Sequence, residues 1–171
     1  ERGARITVAA PDQAAVDLAV DEYGAHEVAP GDVYGVDCDV FAPSALGDVI
    51  NDETIPRMEC DIVCGAANNQ LADPQRHGQR LHDEGILYAP DYLANSGRTI
   101  DDTDLLRKGG YQHDRARAMI DGIYDRMLEI GKRSEQQDRP TGELADEMAE
   151  QRIEAVGSMR SKVSERRSPE W

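Results

Sequence analysis

Short apolar runs alternate with helical spacing over the first ninety residues. Arg5-Ile-Thr-Val-Ala9 predicts a strand, and Pro11-Asp12 breaks it. Asp12 is placed to cap a helix in which Ala15, Val16, Ala19, Val20 and Tyr23 recur at helical intervals, and Gly24 is placed to stop it. A polar connection through Pro30-Gly31 leads to a second strand, Cys38-Asp-Val-Phe-Ala42. Asp52 to Pro56 predicts a short helical turn, and Asp61-Ile-Val-Cys64 a third strand ending at Gly65. Pro74 to Glu84 reads as a helix closed by Gly85, and Ile86-Leu-Tyr-Ala89 as a fourth strand stopped by Pro90. Strands alternating with helices at this spacing imply βαβ units with right-handed crossovers. The expected class is α/β, a doubly wound and mostly parallel sheet. Its strands are apolar on both sides, which implies helices on both faces.

The pattern then changes. Ala116, Ile120, Ile123, Met127 and Ile130 form one stripe of an amphipathic helix, with Gly131 as its expected stop. Pro140-Thr141 opens a second long helix, striped by Ala145, Ala149, Ile153, Val156, Met159 and Val163. Both stripes are expected to be packing faces. The division is therefore a sheet-containing part over residues 1–104, two long helices of the same domain over 105–164, and a frayed tail over 165–171.

Charge narrows the function classes. The 171 residues carry a net charge of −15, with 20 Asp, 14 Glu, 16 Arg and only 3 Lys. The whole excess lies in residues 1–104, because residues 105–171 hold 13 acids and 13 bases. Such a surface repels nucleic-acid phosphates and anionic membranes. No apolar run has the length of a membrane span, and no signal segment opens the sequence. The Asp-rich, Lys-poor balance suits a protein that stays soluble in very high salt. Cys38, Cys60 and Cys64 are an odd number of thiols, which fits a reducing, cytoplasmic setting. Alternation places residues 60, 62 and 64 on one face, and these cysteines are expected to be buried and structural. His26, His77, His82 and His113 are dispersed, and no metal site is expected.

Ligands of doubly wound sheets bind beyond the carboxyl ends of the strands. Three segments fall on that edge: Ala42-Pro-Ser-Ala-Leu-Gly47, Gly65-Ala-Ala-Asn-Asn-Gln70 and Ala89-Pro-Asp-Tyr-Leu-Ala-Asn-Ser-Gly97. Their small residues let a flat ligand approach the backbone, and asparagine offers donors and an acceptor to an amide or a ribose.

The same segments carry a resemblance. Cys38-Asp-Val-Phe-Ala-Pro-Ser-Ala-Leu-Gly47 and Val49-Ile-Asn-Asp-Glu-Thr-Ile-Pro56 resemble the NAD-binding domain of leucine dehydrogenases. Gly65-Ala-Ala-Asn-Asn-Gln-Leu71, Arg76-His-Gly78, Gly85-Ile-Leu-Tyr-Ala-Pro-Asp-Tyr92 and the helix Ala145-Asp-Glu-Met-Ala-Glu-Gln-Arg-Ile153 continue it in order, from Gly3 to about Arg160. The broader group is the glutamate/leucine/phenylalanine/valine dehydrogenases. The resemblance implies a Rossmann-like domain and oxidative deamination of an L-amino acid to its 2-oxo acid and ammonia, with NAD taking the hydride. It implies that Ser44, Ala45, Leu46, Ala66, Ala67, Asn68 and Asn69 line the cofactor, and that Asn69 and Asn95 face the substrate. A homo-oligomer is implied for the full-length enzyme.

Several family parts have no counterpart. No G-x-G occurs, so the phosphate-binding turn and its strand are absent from the match. Lys108, Lys132 and Lys162 all lie in the second part, and none matches the family's catalytic lysine. The sequence thus resembles the rear of a dehydrogenase, truncated at its N-terminal βα unit, with no catalytic residue of its own. Ala10 stands where an acid usually binds the adenosine ribose, so NADP is not excluded. After Asn95, the charges of Arg98, Asp101 and Asp102 depart from the apolar pocket of leucine-specific members. A non-catalytic remnant, binding a nucleotide or packing with other subunits, is the alternative reading.

The charge balance generates a prediction. The Debye length falls from about 30 Å at 0.01 M salt to about 3 Å at 1 M. The thermal unfolding midpoint should rise from dilute buffer to molar KCl. A flat or falling midpoint would mean that the acidity is no salt adaptation.

Overall fold

The computed structural model describes residues 3–165, and side chains as far as residue 158. Asp12 caps the first helix as expected: its carboxylate accepts from the Ala14 N–H at 3.0 Å. That helix, α1, spans Gln13–Tyr23, and Gly24 ends it at φ 66°, the left-handed conformation glycine adopts without strain. The strand before it, β1 (Thr7–Val8), is shorter than the sequence suggested.

The polar stretch after α1 contains a strand that the sequence did not reveal. β2 (His26–Glu27) is exposed and pairs parallel with β1 through His26 N–H to Ile6 O and Val28 N–H to Val8 O. With no buried face, its residue types carry no strand signal. β3 (Cys38–Phe41), β4 (Cys60–Val63) and β5 (Leu87–Tyr88) form a second parallel sheet in that order. The molecule is thus mixed α/β, with two parallel sheets where one was expected.

One face of the larger sheet holds the core. Val63 and Tyr88 join Ile50, Ile55, Leu71, Leu81 and Ile86 in one buried cluster, with Phe41 packed against it. α2 (Pro74–Asp83) covers this face and is capped by Asp73, whose side chain accepts from the Arg76 N–H at 3.0 Å. The opposite face, the register row Val40–Ile62–Leu87, is open: Val40 is 48% and Leu87 37% exposed. Coverage of both faces, inferred from the apolar strands, is not found among the described residues. Cys64 is exposed as well, since β4 ends one residue before it, while Cys38 and Cys60 are half-buried in register across β3 and β4. The expectation of three buried thiols fails at Cys64. Burial pushes the Cys38 and Cys60 thiols above their usual range, so both stay protonated at neutral pH.

The charged run after Asn95 is helical. α3 (Asp91–Ala94) and α4 (Gly97–Leu105) lead into α5 (His113–Gln137), which antiparallel α6 (Thr141–Glu165) follows. Gly131 does not stop α5. The helix runs on to Asp138, which adopts φ 53° and receives His82 Nε2 at 3.1 Å. A mid-helix glycine costs about 1 kcal/mol, and burial of Ile130 against Leu144 and Ala145 outweighs it. The α5 stripe faces inward as expected. The α6 stripe does so only at its start, because Ile153 is 71% exposed. Met159, Val163 and the tail 166–171 lie outside the described side chains and residues. No helix among the described residues is long and apolar enough to cross a membrane.

Asp104 joins α4 to α5. Its carboxylate is 1% exposed and receives Arg115 Nη2 at 2.8 Å, Arg115 Nε, and the Gln112 N–H at 2.8 Å. The Arg115 guanidinium holds the Asp104 carboxyl's pKa below the usual carboxylate range, with the Gln112 N–H and Arg107 adding to the effect and desolvation opposing it. A lowered folded-state pKa gives stability that is present above the unfolded value of about 3.9 and lost as pH falls through the folded value. Asp104→Asn should lower the unfolding midpoint at pH 7. The gap to the parent should narrow below about pH 4. A gap constant from pH 7 to pH 2 would contradict this account.

Candidate functional site

Parallel strands put their carboxyl ends on one edge, and three loops meet there. Gly65 follows β4 and lies so close to the β3 loop that a Cβ on it would sit 2.0 Å from Pro43 O and 2.6 Å from Pro43 N. Ala67 N–H donates to the same Pro43 O at 2.9 Å. Pairing then extends past the strands through Asp48 N–H to Asn69 O and Ile50 N–H to Gln70 O. Gly47 fits under this ladder, where a Cβ would meet the carbonyls of Asn68 and Asn69 at 3.0 Å each.

Two side-chain amides lock the loop from within and from the side. Gln70 is fully buried, and its Nε2 donates to Gly65 O and Ala67 O at 2.9 Å each. Its Oε1 is buried without a hydrogen-bond partner. Asn95, at the end of α3, donates from Nδ2 to Asn68 Oδ1 at 2.7 Å, Ala66 O at 3.2 Å and Ala67 O at 3.3 Å. Beneath it, Tyr88 Oη donates to Asp91 Oδ1 and accepts from Asp91 N–H, both at 3.3 Å. Desolvation raises the Tyr88 phenol well above its ordinary value, so it serves as a neutral hydrogen-bonding post.

The residues expected at a site therefore converge, with different duties. Ala67 is buried and acts through its backbone. Ser44 Oγ is turned onto its own loop, donating to Ala42 O at 3.1 Å, and Leu46 is 66% exposed. Asn68 is exposed and steered by Asn95. Asn69 is exposed, takes φ 52°, and its side chain makes no hydrogen bond. Sequence reasoning missed the duties of Gln70, Gly47 and Gly65. The Gly65–Pro43 approach could have been suspected from a glycine placed directly at a strand end. Among the described residues no group of His, Cys, Asp or Glu is arranged to hold a metal ion.

The close approach is testable. Gly65→Ala forces its Cβ into backbone and should destabilise by about 1–3 kcal/mol or more. Gly78→Ala, inside α2 with ordinary 3.9 Å contact to Leu71, should stabilise by up to about 1 kcal/mol. Equal effects of the two changes on the unfolding midpoint would refute the loop packing described.

Comparison with known proteins accords with this arrangement. The family model for glutamate/leucine/phenylalanine/valine dehydrogenase matches residues 7–100. Leucine dehydrogenase of Geobacillus stearothermophilus is 45% identical over 161 residues, covering 94% of this chain and 43% of that protein. L-tryptophan dehydrogenase of Nostoc punctiforme is 38% identical over 163 residues, covering 95% of this chain and 46% of its own length. The crystal structure of L-tryptophan dehydrogenase from that organism superposes with a TM-score of 0.85 at 36% identity, covering 90% of this chain and 45% of that one. The chain thus spans less than half the length of the relatives it matches. The matched segment includes all three loops of the edge, and the chain belongs to the glutamate/leucine/phenylalanine/valine dehydrogenase family of amino-acid oxidoreductases.

Proposed function

We propose that this chain is the cofactor-binding portion of an NAD-dependent L-amino-acid dehydrogenase, within a Rossmann-like domain. The observation that carries this reading is the pair Asn68–Asn69 on a loop already fixed by Gln70 and Asn95. Asn68 has its oxygen taken by Asn95, which leaves its Nδ2 hydrogens to donate outward. Asn69 offers a free amide beside it. Free amide donors and acceptors on an immobile backbone suit the carboxamide and ribose of a nicotinamide nucleotide. When bound, the nicotinamide accepts the hydride from the substrate Cα.

The chain's own residues orient. Asn69 faces the carboxamide and substrate side, Asn68 braces the loop and donates outward, and Asn95 holds Asn68. Ser44, Ala45 and Leu46 form the opposite lip. No described residue supplies the acid–base step, and no G-x-G turn grips the pyrophosphate. Positioned acid–base groups contribute roughly 10²–10⁴-fold in rate, so turnover belongs to a longer protein. The substrate is an amino acid whose side chain lies toward Asn95 and α4. The acidic, Lys-poor composition supports a halophilic source, and the odd number of thiols supports a cytoplasmic setting.

The test is a titration of NAD into the chain, followed by saturation-transfer NMR. Nicotinamide and ribose protons should be saturated more than adenine protons. Asn69→Gly should abolish that contact without lowering the unfolding midpoint, because glycine adopts the φ of 52° without strain. Asn68→Ala should lower the midpoint by breaking the Asn95 contact, at about 0.5–1.5 kcal/mol. NADH release from leucine by the chain alone, above about 1 s⁻¹, would overturn the assignment of turnover to a longer protein.

A further inference from the structure

Cys38 opens β3, Cys60 opens β4, and the two are register partners across this parallel pair. The Cys38 N–H donates to Glu59 O at 3.0 Å, which pins the strands together at that position. Register partners project from the same face of a sheet, and neighbouring strands lie about 4.7–4.9 Å apart. Disulfides join Cα atoms about 4.4–6.8 Å apart. The backbone therefore already holds these two residues at bridging distance. Cys64 lies four residues beyond Cys60, about 13 Å along an extended chain and out of reach.

Both thiols are free and half-buried, and both line a cavity of about 570 Å³. Asp37, Asp39, Glu59 and Asp61 line it as well. An acidic rim repels anionic oxidants such as glutathione disulfide and admits neutral hydrogen peroxide. Burial, with neighbouring negative charge adding to it, keeps both thiols protonated at neutral pH. The thiolate is the nucleophile, so the pair reacts slowly there.

We propose that Cys38 and Cys60 are a redox-modification site, at which a neutral peroxide forms an intrachain disulfide that ties β3 to β4. One thiolate attacks a peroxide oxygen, the O–O bond breaks, water leaves, and a sulfenic acid forms. The second thiolate attacks that sulfur, the S–S bond forms, and hydroxide leaves and takes up a proton as water. Two thiols and one peroxide thus give one disulfide and two waters. The sulfurs lose two electrons and the peroxide gains them. A resolving thiol in register is what diverts the sulfenic acid from further, irreversible oxidation. A small-molecule dithiol reverses the bond by exchange. The segment between the two cysteines carries the Ser44–Leu46 loop, so oxidation closes the stretch of chain that forms one side of the carboxyl edge. This pairing stands on the sheet register and is independent of the cofactor reading.

The probe is hydrogen peroxide, added to the folded 171-residue protein and to its Cys64→Ser variant, which lacks the exposed thiol. Peptide mapping without reduction should join Cys38 to Cys60 in both. The mass of the Cys64→Ser variant should fall by two hydrogens, and dithiothreitol should restore it. Oxidation should raise the thermal unfolding midpoint by about 4 °C or more, because the bond constrains the 38–60 segment in the unfolded chain. A bond to Cys64, cross-links only between chains, or sulfinic acid at unpaired Cys38 and Cys60 would overturn the proposal. Thiols that stay reduced, or a midpoint that does not rise, would overturn it equally.

Discussion

The carboxyl edge of the larger sheet depends on how the Gly65–Gln70 backbone is held. Three carbonyls of this loop, those of Gly65, Ala66 and Ala67, point toward side-chain amides. A buried carbonyl without a donor costs about 1–3 kcal/mol, and Gln70 and Asn95 remove that cost from beneath and from the side. Both amides hold the loop's shape together with its backbone bonds to Pro43, Asp48 and Ile50. Gly65 allows the approach of Pro43, and Gly47 allows the carbonyls of Asn68 and Asn69 to pass overhead. The exposed amides of Asn68 and Asn69 thus stand on backbone fixed before any ligand arrives, which is what orientation of a reactive ring requires.

The rest of the chain supports that edge from one direction. The core cluster under Phe41, Val63 and Tyr88 seats the carboxyl ends of β3, β4 and β5. Thr141, at the start of α6, donates to Tyr88 O at 2.6 Å and ties the helical hairpin to the end of β5. Tyr92 Oη reaches Asp146 Oδ1 at 2.6 Å and fastens α3 to α6. The other side, with the open Val40–Ile62–Leu87 row, carries no comparable support among the described residues. The Gly65–Gln70 loop is held by this chain's own residues, while the opposite face of the larger sheet is open among the described residues.

The sequence was readable where the signal was local. The Asp12 cap, the Gly24 stop, the helix start at Pro74 and the strand ends, read one residue long at Ala42, Cys64 and Ala89, all follow from residues within a few positions of one another. Those strand ends were enough to place Asn68 and Asn69 at the carboxyl edge of the larger sheet. β2 was invisible because His26 and Glu27 are exposed, and only backbone pairing to β1 makes them a strand. Gly131 misled because packing of Ile130 outweighs local propensity. The charged run at Arg98–Asp102, which departs from the apolar pocket of leucine-specific members, lies in α4, where the nearby Asp104 is held by Arg115. The contact from Asn95 to Asn68 spans 27 positions, and no spacing rule announces it.

Hydrogen exchange at the loop itself, measured by NMR on the free chain, tests the central claim most directly. If Gln70 and Asn95 fix the loop without ligand, the Ala67 amide and the Gln70 side-chain protons should exchange as slowly as the Ala89 amide, which donates to Val63 O at 2.8 Å. Exchange of Ala67 and Gln70 at the rate of exposed turn amides would show that the loop is not ordered in advance, and would contradict the account.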